Sequence, residues 1–129
     1  MSIHQAIKTM LHSVASVANA NTVYGIRNQT IGTFPYITYL IDDIEILSIG
    51  TAPLRKCRIT VKAYHDESAE SAASIGEDVS AAILTGTYDT IVFQGCAEIY
   101  SILQEPTESN GDETEPFVCT TTASIFYST

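Results

Sequence analysis

From Leu54 to Tyr64 the chain reads LRKCRITVKAY, and the alternation within this stretch decides the fold. Lys56, Arg58, Thr60 and Lys62 fall on one side of an extended chain, and Cys57, Ile59, Val61 and Ala63 on the other. A period of two with one wholly apolar side predicts a strand over 54–64, lying with one face on a core. Arg55, at the strand's start, is open to either side. The chain carries 6 Lys and Arg against 15 Asp and Glu, a formal net charge of −9. Four of those basic residues, Arg55, Lys56, Arg58 and Lys62, stand in this one stretch.

What packs on the apolar side is predicted from the next segment. Asp66 is expected to cap a helix over 66–84, with Glu67 and Glu70 in its positive first turn. Ala69, Ala72, Ile75, Gly76, Val79, Ala82 and Ile83 share one helical face, and Glu67, Glu70, Ser71, Ser74, Glu77 and Asp78 the other. The apolar face is small-sided, so the helix axis can approach a sheet closely, and Gly86 is the expected stop.

A second helix is predicted at the start of the chain, over 2–18. Ile3, Ile7, Met10, Leu11, Val14, Val17 and Ala18 follow helical spacing, Ser2 and Gln5 make a capping box, and the segment Asn19 to Asn21 reads as the stop. His4 and His12 lack metal-ligand partners at helical spacing and read as surface residues. Tyr24, Gly25 and Gly32 give mixed turn signals. Pro35 opens a strand over 36–49, in which Asp42-Asp43 marks either a break or a bend at an exposed edge; the turn Thr51-Ala52-Pro53 follows. Strands over 90–104, with Gly95 a bulge, and 116–127 form a closing hairpin. Its loop, 105–116, is acidic and free of aliphatic side chains, and is expected to lie in water. The expected fold is α+β: a single domain over 1–129, with one mainly antiparallel sheet of four to five strands and two helices on one face.

Composition narrows function. With 129 residues, 45% of them hydrophobic, the chain can bury roughly two-thirds of its unfolded surface. No apolar run is long enough to span a bilayer, and the N-terminal apolar residues are periodic rather than continuous, unlike a secretory signal; synthesis in a cytoplasm is expected. Cys57, Cys96 and Cys119 have no paired spacing and are expected to be reduced and buried, with no metal and no cofactor. The acidity disfavours general binding to nucleic-acid backbone. No Gly-rich phosphate loop, nucleophile elbow, HExxH or CxxC is present. Asp42 and Asp43 point to opposite faces of a strand and cannot share an ion through their side chains. The segment NGDETE lacks the calcium-loop pattern. Tyr36, Tyr39, Tyr64, Tyr88, Tyr100 and Tyr127 read as scattered sheet residues rather than a stacking platform. A chain without catalytic signatures but with broad β surfaces reads as an assembly component rather than an enzyme.

Taken in order, several stretches resemble the tail-terminator (tail-completion, head–tail joining) proteins of long-tailed bacteriophages. They are NTVYG at Asn21 to Gly25, PYITY at Pro35 to Tyr39, RITVKAYH at Arg58 to His65, the Ala-rich DESAESAASIGEDVSAAI, and the final DETEPFVCTTTASIFYST. Pro116-Phe117-Val118 stands where that family often has a Gly-Leu-Tyr-Arg-like start of the last strand. The resemblance implies a virion protein of the tail neck, forming a closed homohexameric ring on the head-proximal end of the tail tube. Such a ring stops tube polymerisation and meets the tube protein on one side and the head connector or stopper on the other. DNA passes through it without sequence-specific binding. Another neck or tail-ring subunit is the nearest alternative, and a small ligand-binding domain with a pocket under the 66–84 helix a more distant one.

Three settings are open for the stripe Lys56, Arg58 and Lys62. It pairs with carboxylates on neighbouring strands of its own chain; or it meets acid of the next subunit; or it lines the channel. For the second, the candidate acids are the loop residues Glu105, Glu108, Asp112, Glu113 and Glu115, or the outer face of the 66–84 helix.

Overall fold

A computed structural model describes residues 3–12, 21–24, 36–47, 54–65, 68–85, 88, 91–104 and 117–128. Its elements are α1 (Ile3–His12), β1 (Asn21–Tyr24), β2 (Tyr36–Ile46), β3 (Arg55–His65), α2 (Ala69–Thr85), β4 (Val92–Gln104) and β5 (Phe117–Ser128). The five strands form one sheet in the order β1-β2-β3-β5-β4. The pairs β2–β3, β3–β5 and β4–β5 are antiparallel, and β1 runs parallel to β2. The α+β fold expected from sequence is therefore observed. Because β4 and β3 are both antiparallel to β5, they run the same way, and α2 carries the chain across β5 from one to the other.

The core forms where the alternation requires it. Cys57, Ile59, Val61 and Ala63 of β3 and Cys119, Thr121, Ala123, Ile125 and Tyr127 of β5 are buried on one side of the sheet. Against them lie Ile3, Ala6, Ile7, Met10 and Leu11 of α1 and Ala72, Ile75, Val79 and Ile83 of α2, in one continuous cluster. Gly76 sets the depth of α2: a Cβ there would collide with Cys119 Sγ and lie 3.3 Å from Cys119 Cβ. The small-sided face thus works as the sequence suggested, bringing helix backbone against a side chain of the sheet.

Several boundaries move for identifiable reasons. Ser68 caps α2: Ser71 N–H donates to Ser68 Oγ at 3.1 Å, and the two hydroxyls lie 3.0 Å apart. The helix consequently begins at Ala69, and Ser71, expected on the polar outer face, is half-buried in that contact. At the other end Tyr88 Oη donates to Ile83 O at 2.6 Å, occupying a terminal helix carbonyl. Tyr88 is thus a buried residue between α2 and β4 rather than a strand residue, and it stacks on Phe93 with centroids 4.9 Å apart. Strand β2 ends at Ile46, short of the expected 49, and Leu47 N–H reaches back to Leu54 O at 2.8 Å.

Asp42-Asp43 proves to be a bend in one long strand. Asp42 pairs with Arg58 and Glu45 with Lys56, so Asp43 and Ile44 together face Cys57, with Asp43 at φ 52°. Gly95 sits at the expected bulge with φ 149°, and a second bulge follows at Glu98, φ 56°, which no turn residue announced. Strand β1 was also hidden, because four residues of NTVY show no period. The expectations for Ser2, Val14, Val17, Ala18, Asn19, Gly25, Gly32, Pro35, the turn 51–53, Asp66, Glu67, Gly86 and the loop 105–116 lie outside the described residues.

Candidate functional site: the outer face of the sheet

With both helices on one side, the other side of the sheet carries no layer among the described residues. The register arranges it in rows. Lys62 lies between Thr38 and Thr120, with Ile102 beyond; Thr60 lies between Leu40 and Thr122, with Tyr100 beyond. Arg58 lies between Asp42 and Ser124, and Lys56 between Glu45 and Phe126. Strand parity therefore places Lys56, Arg58 and Lys62 together on this face, as expected.

The three cations are not equivalent. Lys56 is half-buried, and its Nζ stands 5.8 Å from the Phe126 ring centroid, a cation–π contact. It also has Glu45 opposite it on β2. Arg58 is exposed and has Asp42 opposite. Both are thus placed beside carboxylates of their own chain. Lys62 differs, since its two cross-strand neighbours are threonines and carry no charge. Arg55 has the parity of the inner face: its side chain hydrogen-bonds Tyr127, and its buried Nε has no hydrogen-bond partner.

Tyr100 and Ile102 of β4 are among the large residues exposed on this face. Tyr100 is 52% exposed and Ile102 is 53% exposed. Both stand in a strand whose faces the sequence alone does not assign, and nothing in the run reveals that β4 is the sheet's edge. Edge placement also explains Cys96, which is half-buried where full burial was expected. Cys57 and Cys119 are buried, and all three cysteines are free thiols.

On the opposite side of the domain the exposed face of α2 is acidic. Glu70, Glu77 and Asp78 are exposed along α2, with Ser74, Ala81 and Leu84 beside them, and α2 contains no Lys or Arg. Glu105, Glu108, Asp112, Glu113 and Glu115 lie outside the described residues; the loop that holds them joins Gln104 of β4 to Phe117 of β5.

No described thiol of the inner face is activated. Burial pushes the Cys57 thiol up to about 12 and raises Cys96 and Cys119 as well, so none is poised as a thiolate near neutrality. Tyr88 is raised too, first by burial and then by nearby Cys96 and Cys57. Among the described residues no three His, Cys, Asp or Glu side chains converge to hold a metal ion. No described helix is long and apolar enough to cross a membrane. The outer face presents threonines, exposed aromatic and aliphatic groups, and cations. No protein-family model and no curated protein matches this chain.

Proposed function

We propose that this chain is a structural subunit of a closed ring of the tail-terminator kind, capping a phage tail tube and joining it to the head connector. The observation that carries the reading is a sheet with one side packed under helices and the other uncovered among the described residues, with Lys62, Arg58, Tyr100 and Ile102 on the uncovered side. A face carrying exposed aromatic, aliphatic and cationic groups can serve as an interface, and a ring subunit needs surfaces for two neighbours. The order of stretches from Asn21 to Thr129 that resembles the family supports the same reading. Function is then binding without catalysis, and DNA transits the ring.

A ligand-binding domain with a pocket beneath α2 is disfavoured at one definite place. Gly76 lies so close to Cys119 that not even a methyl group fits between helix and sheet there. Negative-stain imaging of the purified protein, alone and with tail tubes, tests the reading. Rings, and tubes closed at one end, are expected. A monomer that leaves tube length unlimited would overturn it.

A further inference from the structure

The basic stripe and the acidic face of α2 are on opposite sides of one domain. Inner-face residues of α2, Ala72, Ile75, Gly76, Val79 and Ile83, pack toward the sheet, so Glu70, Glu77 and Asp78 point away from it. Lys56, Arg58 and Lys62 point away from the helices, on the far side of the sheet. The two charged surfaces of one copy therefore cannot meet. They can meet between copies.

We propose that the outer sheet face of one copy docks against the exposed face of α2 of a second copy, front to back. This rests on the ring reading above and assigns its seam to the helix rather than to the acidic loop.

The dimensions agree. Arg58 to Lys62 spans about 13 Å of strand at about 3.3 Å per residue. Glu70 to Asp78 spans about 12 Å of helix at about 1.5 Å per residue. Glu70, Glu77 and Leu84 recur every seven residues and so share a narrow stripe, with Ala81 and Ser74 beside it. The charges complement each other as well. Acidic α2 has no cation of its own, and Lys62 has no carboxylate opposite it on either neighbouring strand. Leu84, 49% exposed, and Tyr100 and Ile102 supply apolar side chains to the same two surfaces. Small Ser74 and Ala81 let the helix lie close on the threonine rows. The contact is heterologous, since each copy gives a different surface to each neighbour, and repetition closes a ring when the rotation per step permits it.

Charge-reversed pairs test the seam. In one variant Arg58 and Lys62 become Glu (R58E/K62E); in the other Glu77 and Asp78 become Lys (E77K/D78K), which leaves Glu70 in the first helical turn. All four positions lie outside the core, and circular dichroism with a thermal melt checks that each variant folds. Each variant alone should self-associate roughly tenfold or more weakly than the unmodified chain by sedimentation velocity. An equimolar mixture should regain assembly, because the reversed stripe of one then faces the reversed helix of the other. Carrying all four substitutions in one chain should do the same.

If E77K/D78K assembles normally while the unmodified protein forms rings, the helix is not the partner: this inference falls and the ring reading stands. An unmodified chain that stays monomeric at its highest soluble concentration overturns both. If R58E/K62E assembles normally but loses binding to a short DNA duplex, the stripe is a channel contact and the inference is wrong.

Discussion

The two faces of one sheet are built from the same strands by the same alternation, yet they carry different kinds of information. On the inner face each residue is decided by packing: Ile59, Val61, Ala123 and Ile125 are at most 1% exposed and lie against two helices. On the outer face the same strands present Lys56, Arg58, Lys62 and a field of threonines, which no helix covers among the described residues. The inner face makes the domain fold, and the outer face is the surface proposed to meet a second copy. Substitutions on the two sides should therefore separate stability from assembly.

The largest loss of stability is expected from the inner face. Ile59→Ala leaves a cavity beneath the helices and should cost about 2–5 kcal/mol in denaturant unfolding. Gly76→Ala should cost about 1–3 kcal/mol, because its methyl group meets Cys119. Adding Cys119→Ala removes the colliding sulfur, so the double variant should be less destabilised than the two single losses summed. Simple additivity would mean that helix and sheet are not in close contact at that point.

The dry inner face also predicts an alkaline limit. Cys57 titrates at about 12 in the folded chain against 9.0 for the free thiol. The unfolded chain releases its proton first, so the stability due to the buried neutral thiol is full below 9.0 and is lost as pH rises toward about 12. In Cys57→Ala the decline of melting temperature above pH 9.0 should be shallower than in the unmodified protein. An identical slope would place Cys57 in water.

These inner-face features were largely legible in the sequence, because alternation in RKCRITVKAY and the small residues of α2 are local patterns that burial enforces. What was not legible depends on neighbours in space. NTVY is too short for a period, and it becomes a strand by pairing with Tyr36 to Tyr39. Glu98 takes positive φ at a bulge without a glycine to mark it. The exposure of Tyr100 and Ile102 was not legible, because strand order, which puts β4 at the edge, is not written in β4 itself. The stripe was found, but which of its cations lacks a carboxylate opposite it depended on the register.

Smaller effects are expected at the bend and on the outer face. Asp43→Gly should stabilise the chain by less than about 1 kcal/mol, since glycine adopts φ 52° without a Cβ penalty. A loss instead would show that the Asp43 side chain helps hold the bulge. Lys62→Ala should change stability by under about 0.5 kcal/mol. It should nonetheless weaken self-association, and added salt should erase that difference. A large stability loss would assign Lys62 to the folding of its own chain.

Native mass spectrometry of the purified, unmodified protein tests the central claim most directly. The outer face as a seam between copies predicts one closed oligomer, with dissociation promoted by salt and by reversal of Arg58 and Lys62. A monomer at all concentrations, or an open-ended series of masses indifferent to those charges, would contradict it.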